Sequence, residues 1–171
     1  MTQSHIEVGI VVERRSSASP WADHAWTPLA VLPEPPALAP WTELPGTPER
    51  RSFYLGPAVL TLHSVDTAHF RENFLAGQAK LWVAIRPTGI EPELEFVGVT
   101  ADPSEGEVYA DNPGDIVEPV PMPAVIAEQV LAFFEVHHVE QEFVKRQRSE
   151  FDPRKGGGPR PAPGGRRGNG P

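Results

Sequence analysis

The sequence predicts an α+β fold: a mostly antiparallel sheet of five to seven strands with two or three helices, the last of them long, followed by a disordered tail. Three observations lead there. Short β-branched runs bounded by Pro, Gly and Ser recur along the body of the chain without alternating regularly with helical segments, as a doubly wound sheet would require. The longest run of helical periodicity follows Pro123. Residues 156–171 hold seven Gly, four Pro and three Arg with no large apolar side chain, too little to offset the entropy of ordering them.

In chain order, residues 6–12 are a β-branched run and form a first strand, ended by Glu13-Arg14-Arg15 and a Ser-rich turn. Residues 26–32 form a second, in which Pro28 marks an edge position or a bulge. Residues 33–48 contain six prolines and are expected to be an extended surface loop pinned by Trp41 and Leu44. Residues 51–62 suggest a hairpin turning at Gly56-Pro57. Asp66 or Thr67 caps a helix that Gly77 ends, with Phe70 and Phe74 on its buried face. Residues 80–86 and 93–100 form an antiparallel pair around Pro87-Thr88-Gly89. Asp102-Pro103, with Glu105 behind them, open a short helix. A turn at Asn112-Pro113-Gly114 leads to a strand at 116–120. Pro123 starts a helix expected to reach about Arg148, with Ile126, Val130, Phe133, Phe134, Val136 and Phe143 on its apolar side. Glu128 near its start and Lys145, Arg146 and Arg148 near its end suit the helix dipole. One domain is expected over residues 1–148, with the tail at 149–171.

The 171 residues, 39% of them hydrophobic, suffice for one core. The absence of cysteine excludes disulfides, thiolate metal sites and a cysteine nucleophile. No basic stretch followed by an apolar run stands near Met1, and nothing approaches the ~20 apolar residues of a membrane span, so a cytoplasmic protein is expected. The chain carries −8, while residues 145–171 hold eight Lys and Arg against two acidic residues, a net +6; the remainder therefore carries −14. Such a body repels phosphate backbones. The tail alone has the charge to attract RNA, anionic lipid or an acidic protein patch, or it is a solvated segment that limits aggregation.

The motifs of common chemistries are missing. No GxGxxG or GxxxxGK[ST] follows a strand, and the glycines of the tail have no strand or helix beside them. There is no GxSxG and no HExxH. His138 and Glu142, four apart, are the pair closest to a metal site, but two such groups more often flank a buried helical stripe, and no metal is expected. His63 ends a strand and His69 lies on the helix after it, within possible reach of each other. No catalytic residue is identified. Tryptophans are more telling: Trp21 and Trp26 stand five apart around the start of a strand and Trp41 follows on the proline-rich segment. Indoles on short loops anchor partners or cap a core edge. These three are the partner-binding candidates.

Several segments together resemble an uncharacterised bacterial family: residues 8–15, Pro20 to Pro28 (PWADHAWTP), Val31-Leu-Pro33, His63, Phe70-Arg71-Glu72-Asn73, residues 81–86, residues 117–123, His137-His-Val-Glu140 and residues 143–146. The resemblance spans about residues 6–148 and leaves out the tail. Its members are usually encoded beside formate dehydrogenase, a molybdenum enzyme, and a second small protein; some are labelled molybdopterin-guanine dinucleotide biosynthesis protein A. This implies a molybdoenzyme setting and supplies no catalytic residue. A nucleotidyltransferase of that label needs a Gly-rich loop after the first strand, where this chain has Glu13-Arg14-Arg15-Ser16-Ser17. The expectation is therefore a non-catalytic accessory or assembly factor for a formate dehydrogenase-type molybdoenzyme, with no cofactor of its own, whose partner is a molybdoenzyme subunit or maturation protein. The alternative is an enzyme or binder handling a phosphate-bearing pterin cofactor through Arg14, Arg15 and Arg86, joined by Arg50 and Arg51.

Overall fold

Two antiparallel sheets, where the sequence suggested one, form the framework of the computed structural model, which describes residues 2–17, 20 and 24–139. The first has the order β2-β1-β4-β3, from β1 (Gln3–Ser16), β2 (His24–Leu32), β3 (Thr42–Thr47) and β4 (Arg50–His63). The second has the order β6-β5-β7, from β5 (Lys80–Pro87), β6 (Leu94–Thr100) and β7 (Ile116–Pro121). Three helices complete the described residues: α1 (Thr67–Leu75), α2 (Pro103–Ala110) and α3 (Ala124–His137). Each sheet has one apolar face, and stacking the two buries both, which three short helices over one wide sheet could not do. The core holds Ile6, Val8, Ile10 and Val12 of β1, Leu60 and Leu62 of β4, and Leu81, Val83 and Ile85 of β5. Ile126, Val130 and Phe133 of α3 join it, and the Phe133 ring meets that of Phe70 on α1 at 6.4 Å.

Residues 50–63 do not turn at Gly56-Pro57 but run as one strand. The 14-residue β1 pairs with β4 on both sides of that dipeptide, and a bulge at Leu55 absorbs the disturbance, with Ile10 opposite Gly56 and Val11 opposite Tyr54. Gly56 supplies the positive φ of 143° there. Pro57 stands beyond Tyr54, the last β4 residue paired with β3, where the ladder on that flank has ended. The proline-rich segment is likewise not all loop: its Thr42–Thr47 part is an edge strand on β4. Pro28 is both on an edge strand and at a bulge, since β2 is outermost and its pairing skips Leu29.

The last helix is shorter than expected. α3 ends at His137, and His138 has extended backbone (φ −72°, ψ 121°), although its N–H still donates to the Phe134 carbonyl. An unbroken helix through Arg148 is thus excluded; residues 140–171, which include Phe143, Glu142 and the tail, lie outside the described residues. None of the described helices is long and apolar enough to cross a membrane.

Candidate functional site

Alternation along β1 puts Ile6, Val8, Ile10 and Val12 on the core face of the first sheet, and the next residue on that face is Arg14. Register sets Arg14 opposite Trp26 on β2 and Arg51 on β4, and sets Phe53 opposite Val12. Where the apolar strip runs out, the face therefore ends in rings and guanidinium groups. Trp26 meets Trp41 edge to face at 5.8 Å and Phe53 at 5.7 Å, and Trp41 lies 6.4 Å from Phe53. The Arg14 guanidinium carbon sits 5.7 Å from the Trp26 ring and 5.4 Å from the Phe53 ring; Arg51 is 5.4 Å from Phe53 on its own side.

The loop between β5 and β6 faces this cluster. Glu91, Pro92 and Glu93 close a cleft of about 370 Å³ whose other walls are Arg14, Trp26, Trp41 and Phe53. The indole Nε1 of Trp26 donates to Glu93 Oε2 at 3.1 Å, joining the two sheets at the cleft. Beside it Arg51 grips Glu43 with two 2.7 Å hydrogen bonds. Those bonds, with the charges of Arg51 and Arg14, hold the Glu43 carboxyl below its usual range.

Trp41 has a φ of 70°, and no other non-glycine residue among those described has a positive φ. A bulky residue in the left-handed region is strained by roughly 1–3 kcal/mol. Its N–H donates to the Tyr54 carbonyl at 2.6 Å, and its ring packs on the core edge. The fold thus holds a tryptophan at the cleft in a conformation it would not adopt by itself.

The candidates separate as follows. Trp26 and Trp41 come together; Trp21 lies outside the described residues. Arg14 lines the cleft. Arg15 points to the other face of β1, where its Nε bonds the buried Glu13. Arg86 forks onto Asp115, Nε to Oδ1 at 2.7 Å and Nη2 to Oδ2 at 3.1 Å, and reaches Glu95 at 3.4 Å. These three arginines do not converge. His138 Nδ1 lies 3.1 Å from Thr67 Oγ1 and its ring stacks on Phe134 at 4.4 Å; it is already beyond the helix, so it does not share a helical face with Glu142, itself outside the described residues. Phe53 and Glu93 are cleft residues that sequence reading missed. Phe53 was legible as a strand residue, but its partner across β1 depends on the bulge at Leu55. Glu93 lies just ahead of β6, and nothing local in the sequence shows the indole it meets.

A family model described as a protein of unknown function, DUF3305, matches residues 7–147. The chain belongs to that family. The match covers most of the chain and takes in all of the cleft, from Arg14 to Glu93. No curated protein and no solved structure matches. Membership in DUF3305 brings no residue roles with it, so the cleft is read from its own chemistry: half-buried rings, one cation stacked on two of them, and a rim with two carboxylates.

Proposed function

We propose that this chain is a non-catalytic accessory or assembly factor for a formate dehydrogenase-type molybdoenzyme, and that it holds a molybdoenzyme subunit or maturation protein at the cleft of Arg14, Trp26, Trp41 and Phe53. The strained Trp41 carries the choice of surface. Backbone strain persists where surrounding structure enforces it, and such positions cluster at ligand clamps. Trp and Arg together are the side chains that most often dominate protein contacts. The molybdoenzyme setting is supported by the resemblance over residues 6–148. A phosphate-bearing pterin would instead draw on free guanidinium groups in one place. Arg15, Arg51 and Arg86 are held by carboxylates, and Glu91 and Glu93 at the rim would repel phosphate, so the geometry favours a protein partner.

The full chain, used as bait in its native host under conditions that induce formate dehydrogenase, should recover a molybdoenzyme subunit or a cofactor-insertion protein. Arg14→Glu and Trp41→Ala should each reduce that recovery about tenfold or more, as loss of a binding anchor does. Captures that contain neither kind of protein would sink the proposal. Undiminished capture by both variants would remove the cleft from it.

A further inference from the structure

A second constellation lies where β4 hands over to α1, away from the residues used above. A single 3-10 turn, Ser64–Asp66, follows His63 at the end of β4 and leads into α1. The carboxylate of Asp66, the imidazole of His69 one turn later and the carboxylate of Asp102 at the start of α2 have donor atoms all within 4.8 Å of one another. Asp102 is fixed: Oδ1 accepts the Ser104 N–H at 2.8 Å, its own N–H donates to Thr100 Oγ1 at 3.0 Å, and Oδ2 lies 2.8 Å from His69 Nδ1. Its side chain is only 8% exposed.

Helix capping and one ion pair account for Asp102 and His69. They do not account for the other two groups. Asp66 occupies the N-cap position of α1, yet its side chain makes no capping hydrogen bond. Its carboxyl is half-buried. His63, at the end of β4 and three residues before Asp66, keeps a buried Nδ1 with no hydrogen-bond partner. A buried ring nitrogen left unpaired is costly. Two carboxylates this close repel, and one imidazole offsets only part of that charge.

We propose that Asp66, His69 and Asp102 bind a first-row divalent cation of the Zn²⁺ class, with solvent completing the coordination shell. One imidazole and two carboxylates form a mixed N/O set that suits Zn²⁺ and its neighbours, whereas Ca²⁺ and Mg²⁺ prefer all-oxygen shells. The cation offsets the paired carboxylates. One ligand comes from the 3-10 turn, one from α1 and one from the start of α2, so the ion ties together segments that are distant in sequence.

The test is calorimetric titration of the tag-free, chelator-treated full chain with Zn²⁺ alone, repeated with Co²⁺ to record its ligand-field bands. One equivalent should bind, with a rise in melting temperature, and Co²⁺ should give the bands of a four-coordinate N/O site. Asp66→Asn and His69→Gln should weaken binding by about a hundredfold or more, since even outer-shell partners are worth 10–100-fold. His24→Gln, opposite Ser16 at the far end of β1 from the Gln3–His63 pair, should leave it unchanged. Asp66 makes no hydrogen bond that its replacement would break, so that variant should melt normally without metal. Absence of stoichiometric binding, or binding that survives both substitutions, overturns the proposal.

Discussion

Trp26 Nε1 and Glu93 Oε2 are bonded across the gap between the two sheets, 67 residues apart in sequence and 3.1 Å apart in space. The bond fixes the indole that walls the cleft and holds the β5–β6 loop against it. Trp26→Phe keeps a ring on the core edge and removes the donor; Glu93→Ala removes the acceptor. Each should lower stability by about 1 kcal/mol, and the double variant should lose less than the sum, with a coupling of roughly 0.5–1.5 kcal/mol. Urea denaturation of the four proteins measures it, and strict additivity would show that the bond contributes nothing.

Gly106 is buried inside α2, where alanine would ordinarily stabilise the helix by about 1 kcal/mol. Here a Cβ would stand 2.5 Å from Cγ of Trp82 and 2.7 Å from its Cδ1, at the rigid base of the indole. Gly106→Ala should therefore destabilise by about 1–3 kcal/mol through overpacking, seen as a fall in melting temperature. A more stable variant would mean that the α2–β5 contact is loose enough to yield.

Local chemistry made the short-range features readable in the sequence. The Asp102 cap, the Pro103 start and the antiparallel partnership of β5 with β6 are all present, because each depends on neighbouring residues alone. The two-sheet arrangement and the unbroken β4 were not readable, because a Gly-Pro pair reads as a turn unless a long partner strand is known to run past both sides of it. Of the cleft, Trp26 and Trp41 were identifiable as partner-binding candidates. Their meeting with Phe53 and Arg14 follows from cross-strand register, which two bulges shift. The Asp66–His69–Asp102 grouping spans two helix starts 36 residues apart, and no periodicity encodes it.

The chain has two tyrosines, and both phenols are shifted upward. Burial pushes the Tyr109 phenol up to about 12, helped by the Glu105 carboxylate 3.2 Å away; burial also raises Tyr54. Unfolded tyrosine ionises near pH ~10, so the folded chain keeps protons that the unfolded chain has released. The associated stability is fully present below about pH 10 and is lost as pH rises towards about 12. Tyrosinate absorbance should show the native protein titrating later than the urea-unfolded one. Coincident curves would contradict the burial of both rings.

Asn73 is 3% exposed and saturates three backbone groups, two at the start of β5 and one just past β6. Its Nδ2 donates to the carbonyls of Lys80 at 2.8 Å and Ala101 at 2.9 Å, and its Oδ1 accepts the Lys80 N–H at 3.0 Å. One side chain thus ties α1 to the first residue of β5 and to the end of β6. Asn73→Ala would leave those groups buried without partners and should destabilise by about 2–4 kcal/mol, since each orphaned group costs about 1–3 kcal/mol and some relax towards water. Asn73→Asp keeps the size and the acceptor but turns a carboxylate oxygen towards two carbonyls, and should be no less damaging. Hydrogen exchange gives the local check: the Lys80 amide should lose protection in both variants before the amides of β1 and β4 do. A loss below about 0.5 kcal/mol in Asn73→Ala, the range of an ordinary surface change, would show that water replaces the amide and that α1 is held by its phenylalanines alone.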